Sequence, residues 1–278
     1  MVTFYKYQGA GNDFLIADNR SGQLHLSTEQ IAALCDRRYG VGADGLMLLE
    51  NSAEYDFRMV YYNSDGSGGM MCGNGGRCMV AFAADQGIEH FDFDAADGYH
   101  TAQILAAEGS RKIVRLKMKD VAKIQKYDVL TGVNVPSEGC FLDTGTRHFV
   151  RFVEGLETYD IVSEGREIRY SGRELLPIGA NVNYVETFDG GVKVRTYEKG
   201  VEDETFACGT GIVASCVASY VYGITPSDVD SDGRVKYDVQ AKRDALSVDF
   251  IPSVTLVAED VWLTGPATFV AKITVEII

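Results

Sequence analysis

The chain has 278 residues, 46% hydrophobic and 24% charged, an ordinary globular mix with length enough for two domains. Lys and Arg number 26 against 40 Asp and Glu, a net charge of −14, which argues against a nucleic-acid or anionic-membrane footprint but leaves room for a local anion pocket. Six cysteines in this length are no disulfide scaffold. In chain order, residues 1–9 are aromatic and polar, without the charged and apolar regions of a signal peptide, so a reduced, cytoplasmic protein is expected. Residues 28–38 predict an amphipathic helix with Ser27 as N-cap and Gly40 beyond its end. Strands are predicted over 56–62 and 113–118, and the chain is expected to pass from one half to the other near 119–126. Further strands follow over 192–197, 245–250 and 269–277, the last with Lys272, Thr274 and Glu276 alternating against Ile273, Val275 and Ile277. Glu202-Asp203-Glu204 reads as a solvated loop. Residues 228–233 read as a surface turn, because the glutamate a calcium loop needs is absent.

The pattern occurs twice. Asn12 precedes Cys72 by 60 positions and His148 precedes Cys208 by 60. Gly42-Ala43-Asp44 lies 30 positions before Cys72, and Gly179-Ala180-Asn181 lies 29 before Cys208. Each cysteine opens a Cys-Gly-x-Gly turn followed by an apolar run, 78–84 or 212–222, and each run ends at a glycine 15 positions past its cysteine, Gly87 or Gly223. The second run is far short of the ~20 residues that span a bilayer. Helices apolar on all sides must be enclosed, and a glycine after the last turn suits a left-handed C′ position. The expected fold is α+β, with two pseudo-twofold-related domains facing each other, each a mainly antiparallel curled sheet or barrel around a central helix.

A cysteine at a helix N-terminus meets unpaired N–H groups and the positive end of the macrodipole, which favours thiolate over thiol. The flanking glycines let a carboxylate approach the same N–H groups. Two such turns placed face to face suggest a racemisation or epimerisation without a cofactor, one sulfur removing an α-proton while the other delivers a proton to the opposite face. Metal binding is not expected, since Cys-x-x-Cys and paired-histidine spacings are missing. Cys35, Cys78, Cys140 and Cys216 lack the glycine-rich setting and read as structural.

Gly9-Ala10-Gly11-Asn12-Asp13-Phe14, Met71-Cys72-Gly73-Asn74-Gly75-Gly76-Arg77-Cys78 and Ala207-Cys208-Gly209-Thr210-Gly211 resemble the diaminopimelate epimerase family, and the similarity continues to Trp262-Leu263-Thr264-Gly265-Pro266-Ala267. The resemblance implies a pyridoxal-independent isomerase of L,L- and meso-diaminopimelate in lysine and peptidoglycan precursor synthesis, often a homodimer, with a small amino acid as its ligand. It implies domains over 1–118 plus 265–278 and over 119–264. It places Cys72 and Cys208 as the acid–base pair and Gly73, Asn74, Gly209 and Thr210 as the carboxylate cradle. Asn12, Asn63, Asn181 and Glu198 match substrate-binding positions, and His148 and Glu198 match residues that tune the sulfurs.

Two positions depart from the family pattern. Glu198-Lys199-Gly200 stands where Glu-Arg-Gly is usual, keeping the charge without the bidentate fork. Gly145-Thr146-Arg147-His148 stands where Gly-Asn-Pro-His is frequent. Lys199 and Thr146 are expected toward the distal end of the substrate, with Arg147 replacing some lost carboxylate recognition. A racemase or epimerase of another amino acid, and a non-catalytic carboxylate-binding protein, stay open as alternatives.

Overall fold

Residues 1–69, 71–127, 139–170 and 179–277 are described in a computed structural model, in which the chain divides into two units, Met1–Lys117 with Thr264–Ile278, and Met118–Leu263. The first unit contains β1 (Val2–Gly9), β2 (Asn12–Asp18), α1 (Thr28–Cys35), β3 (Gly45–Glu50), β4 (Phe57–Asn63), α2 (Gly73–Asp85), β5 (Asp92–Ala95), β6 (Gly98–Glu108) and β7 (Arg111–Lys117). The second contains β8 (Ile124–Tyr127), β9 (Gly139–Asp143), β10 (Arg147–Phe152), α3 (Ile161–Arg169), β11 (Asn181–Phe188), β12 (Gly191–Glu198), β13 (Asp203–Thr205), α4 (Gly209–Val221), β14 (Asp228–Val229), β15 (Val235–Gln240) and β16 (Ala245–Pro252). The long β17 (Ala258–Val275) begins in the second unit and ends in the first.

In the first unit β1–β2, β3–β4, β5–β6 and β6–β7 pair antiparallel, and β2–β3 and β4–β5 pair parallel. Parallel neighbours need a long crossover, and each has a helix in its connection, α1 after β2 and α2 after β4. The end of β17 pairs with both β7 (Gly265↔Val114) and β1 (Gln8↔Thr268), which closes the sheet into a ring. Closure leaves no open edge and makes an interior that must be filled. Helix α2 fills it, buried from Gly73 to Ala83. The sheet is covered outside as well. Leu15, Ala17, Leu46 and Leu48 pack with Ile31 and Leu34 of α1, while the alternate residues Phe14, Ile16 and Met47 are buried on the other face.

The second unit repeats this order. β9–β10 is antiparallel, β10–β11 parallel across α3, β11–β12 antiparallel, β12–β15 parallel across α4, and β15–β16 antiparallel. Val182 and Tyr184 of β11 pack with Ile161 and Ile168 of α3. The pleat puts Asn181 and Asn183 on the other face of β11, toward α4. The α+β architecture of two like halves, each a curled sheet with a buried helix, is the one expected.

Both central helices end alike. Gly87 N–H bonds Ala84 O and Ile88 N–H bonds Ala83 O; Gly223 N–H bonds Tyr220 O and Ile224 N–H bonds Ser219 O. These are paired Schellman bonds, with Gly87 and Gly223 at φ +84° and +77°. A Cβ at Gly223 would meet nothing within 4 Å. Gly223→Ala is therefore expected to cost only the left-handed backbone strain, about 1 kcal/mol, read as a lower urea midpoint with unchanged slope and unchanged activity.

Three elements differ from the sequence reading. Helix α1 ends at Cys35 because Asp36 turns extended (ψ 127°) and its carboxylate accepts from the N–H groups of Arg38 and Tyr39, both 2.7 Å. β17 is twice the predicted strand, since Gly265-Pro266 hides its continuity in sequence. Glu204 is no solvated loop residue: it lies in β13, with Arg195 at 2.8 Å and Lys242 at 2.9 Å.

Candidate active site

Each unit presents one cysteine as the N-cap of its enclosed helix. Cys72 has extended backbone (φ −115°, ψ 124°) and Cys208 nearly the same (φ −103°, ψ 108°). Glycine follows both, and neither sulfur caps its helix. The first helical bonds run back to the cysteines' own carbonyls, Gly76 N–H to Cys72 O at 2.7 Å and Ile212 N–H to Cys208 O at 2.8 Å. Each sulfur thus stands beside the first-turn N–H groups, where negative charge is favoured.

In the first unit the residue two past the cysteine binds the residue 60 before it: Asn74 Nδ2 donates to Asn12 Oδ1 at 2.5 Å. The chain of amides is pinned by charge at both ends. Arg77 Nη2 donates to Asn74 Oδ1 at 2.8 Å, and Asn12 Nδ2 donates to Asp44 Oδ2 at 3.0 Å. Arg37 bridges Asp44 and Asp13, and Lys6 reaches Asp13 at 2.8 Å. Burial raises the Asp13 carboxyl, but its bonds to Arg37 and Lys6 outweigh this and hold it below the ordinary range. Arg77 is wholly buried, also donating to Gly73 O at 3.2 Å, so it ties the cradle backbone to the cradle amide. Asn12 and Asn74 thus each accept one hydrogen bond and donate another along a single chain that runs from Arg77 to Asp44. Asn63 ends β4, where its Nδ2 donates to Ser67 Oγ at 3.0 Å and closes a turn.

The second unit repeats the contact with other side chains. His148 Nε2 lies 2.9 Å from Thr210 Oγ1, and Thr210 Oγ1 lies 3.5 Å from Cys208 Sγ. Thr146 Oγ1 is 2.9 Å from His148 Nε2 and 3.0 Å from Thr210 Oγ1. The Thr146 hydroxyl therefore joins the Cys208 cluster. His148 is fully buried, and burial pushes its imidazole down to about 3, so it is neutral. Asn181 spends its amide on the backbone, accepting from Lys199 N–H at 2.9 Å and donating to Arg147 O at 3.3 Å. Glu198 is half-buried at the end of β12 and Lys199 is exposed beyond it. Arg147 opens β10, where the pleat turns its side chain away from the face of His148.

The remaining cysteines are differently placed. Cys35, Cys78, Cys140 and Cys216 are buried and form no disulfide. Burial raises the Cys35 thiol to about 11 and drives Cys78 and Cys216 higher still. Among the described residues no cluster of three or more His, Cys, Asp or Glu is arranged to hold a metal ion, and no helix is long and apolar enough to cross a membrane.

The sequence model of the family described as diaminopimelate epimerase matches residues 4–124. A diaminopimelate epimerase from Flavobacterium psychrophilum is 43% identical, over 99% of this chain and 100% of its own length. The chain belongs to the diaminopimelate epimerase family. It is an isomerase. The corresponding protein of Chlorobaculum tepidum is 41% identical over 97% of this chain and 99% of its own. Two solved structures share the fold at low identity. A Bacillus anthracis phenazine biosynthesis protein of the PhzF family has TM-score 0.70 and 16% identity, covering 99% of both chains. A hydroxyproline epimerase from Agrobacterium vitis has TM-score 0.68 and 15% identity, covering 99% of this chain and 90% of its own.

Sequence reasoning on this epimerase-family chain passed over Arg77, Asp44, Arg37 and Asn183. Arg77 sits inside the glycine-rich turn, just before the apolar run. Asp44 is the repeat partner of Asn181, a signal that could have singled it out. Asn183 alternates with Val182 and Tyr184 and looks like the wet side of a strand.

Proposed function

We propose that this isomerase inverts the α-carbon of L,L-diaminopimelate to give the meso form, using Cys72 and Cys208 as its two proton-carrying groups and no cofactor. The observation that carries this reading is the equivalent placement of Cys72 and Cys208, each the N-cap of a glycine-opened, enclosed helix in units of the same topology. Inversion at carbon requires proton removal on one side and delivery on the other, and each unit supplies one sulfur. One thiolate takes the α-proton and becomes a thiol. The electron pair moves into the carboxylate as an enediolate, and the second sulfur, initially a thiol, gives its proton to the carbon. The sulfurs exchange protonation states in each turnover, so the enzyme serves both directions. First-turn backbone N–H groups of α2 and α4, those of Asn74 and Thr210 among them, are the donors for the developing charge, the largest contribution in sites of this kind. Asn12, Asn63, Asn181, Glu198 and Lys199 are assigned to substrate binding, and the product serves lysine and peptidoglycan precursor synthesis.

The test is solvent isotope incorporation. In deuterated water, α-deuterium should enter L,L-diaminopimelate during its conversion to the meso form, and should not enter lysine, ornithine or proline. Deuterium in one of those amino acids and none in diaminopimelate would replace the substrate assignment.

A further inference from the structure

The Cys208 cluster contains a buried histidine whose imidazole is held neutral by burial and which bonds Thr210, the residue whose hydroxyl lies beside the sulfur. Its role follows from where its one proton sits. Asn183 Nδ2 lies 3.0 Å from His148 Nδ1 and 3.2 Å from Phe149 O. A peptide carbonyl only accepts, so the atom facing it is the amide nitrogen, and the amide's other N–H reaches Nδ1. In that orientation Thr196 Oγ1 donates to Asn183 Oδ1 at 2.9 Å, so both ends of the amide are paired. Nδ1 is then an acceptor without a proton, and the proton of the neutral ring is on Nε2.

From there the hydroxyls have few choices. Nε2–H donates, so neither Thr146 nor Thr210 can donate to it. Within the protein, the partners left to the Thr146 and Thr210 hydroxyls are each other at 3.0 Å and, for Thr210, the sulfur of Cys208 at 3.5 Å. With Thr146 donating to Thr210, the Thr210 proton points at the sulfur.

We propose that Asn183 is a positioning residue that sets the His148 tautomer and, through Thr146 and Thr210, aims a hydroxyl proton at Cys208. This rests on the reading of Cys208 as a proton carrier, and it gives Thr146 a place in the chemistry of the reacting end. A donor aimed at the sulfur favours its ionised form, so His148 acts on Cys208 as a neutral ring, through hydrogen bonds.

Two measurements that use no turnover test this. In the intact protein labelled with ¹⁵N-histidine, the His148 resonances, assigned by their loss in His148→Gln, should show a protonated Nε2 and a bare Nδ1. Asn183→Asp replaces the donor by an acceptor and should place a proton on Nδ1; a residue that only packs would move neither nitrogen. The pH of half-maximal iodoacetamide alkylation at Cys208, mapped by mass spectrometry, should rise by about one unit in Thr210→Val, a tenfold change in thiolate fraction, and return in Thr210→Ser. Cys72 in the same sample is the internal control and should not move. A protonated Nδ1 in the unaltered protein, a bare Nδ1 in Asn183→Asp, or an unmoved Cys208 midpoint in Thr210→Val would each overturn the proposal. None of these results depends on whether diaminopimelate is the substrate.

Discussion

Cys72→Ala and Cys208→Ala are each expected to lower epimerisation by about 10⁴-fold, the upper range for loss of a positioned proton-transfer group. Alanine deletes the carrier on one side of the carbon, and water has neither its position nor the polarisation of the helix terminus. The double variant should be no worse than either single one, because two groups that act in one step fail as a unit. Neither sulfur caps its helix, so Cys72→Ala, at a half-buried site, should change stability little, while Cys208→Ala, at a buried one, should add only a small cavity cost. The retained sulfur in each single variant can still remove a proton and return it to the same face. Slow α-hydrogen exchange without inversion is therefore the expected residue of activity, seen as deuterium in substrate of unchanged configuration. Cys78→Ala and Cys216→Ala are the contrast. Both thiols are fully buried and held in the neutral form by desolvation, so these variants should lose stability to a small cavity and keep kcat. Full turnover in Cys72→Ala or Cys208→Ala, read by coupled assay or isotope exchange, would remove the mechanism.

The parts of this fold legible in the sequence are those where local chemistry leaves one choice. A left-handed C′ residue must be glycine or close to it, so Gly87 and Gly223 mark the ends of both central helices. A helix apolar all round must be enclosed, so residues 212–222 announce an interior before any sheet is seen. Cys72 and Cys208 are conspicuous through their glycines. What was not legible is what depends on closure. Asn183 sits in a strand of alternating character, and alternation normally means a wet face; here α4 covers that face and turns the amide inward. Arg77 would be an exposed charge on an ordinary helix, yet inside a closed ring it becomes the buried anchor of Asn74. The Asn12–Asp44–Arg37 series joins residues from β2, the bend just before β3 and the turn after α1, and nothing in their spacing shows that they meet. β17 was undervalued because Gly265-Pro266 breaks the pattern, although Pro266 keeps register opposite Ile113.

Gly211→Ala is expected to damage both stability and catalysis, and the comparison with Gly223→Ala isolates why. A Cβ at Gly211 would lie 2.2 Å from Asn183 Oδ1, 3.2 Å from Asn183 Cγ and 3.2 Å from His148 Cε1. The first distance is far inside van der Waals contact, and the atom it meets is no loose chain end. Asn183 is held by Thr196, Phe149 O and His148, all buried. Accommodating the methyl means moving the first turn of α4 or rotating the amide out of its bonds. Overpacking costs about 1–3 kcal/mol, and leaving buried polar groups unpaired costs about 1–3 kcal/mol more. The better helix propensity of alanine returns less than about 1 kcal/mol. A net loss of about 2–4 kcal/mol follows, measured as a lower urea midpoint, with kcat/KM lowered about 10²-fold in the molecules that remain folded. At Gly223 the same substitution meets open space and should leave kcat/KM unchanged. The entrance of α4 and its exit therefore use glycine for different reasons: at the exit for backbone conformation, at the entrance so that Asn183 and His148 can pack close enough to the helix for His148 to reach Thr210. A Gly211→Ala protein as stable and as active as Gly223→Ala would show that this close approach is not what the entrance requires.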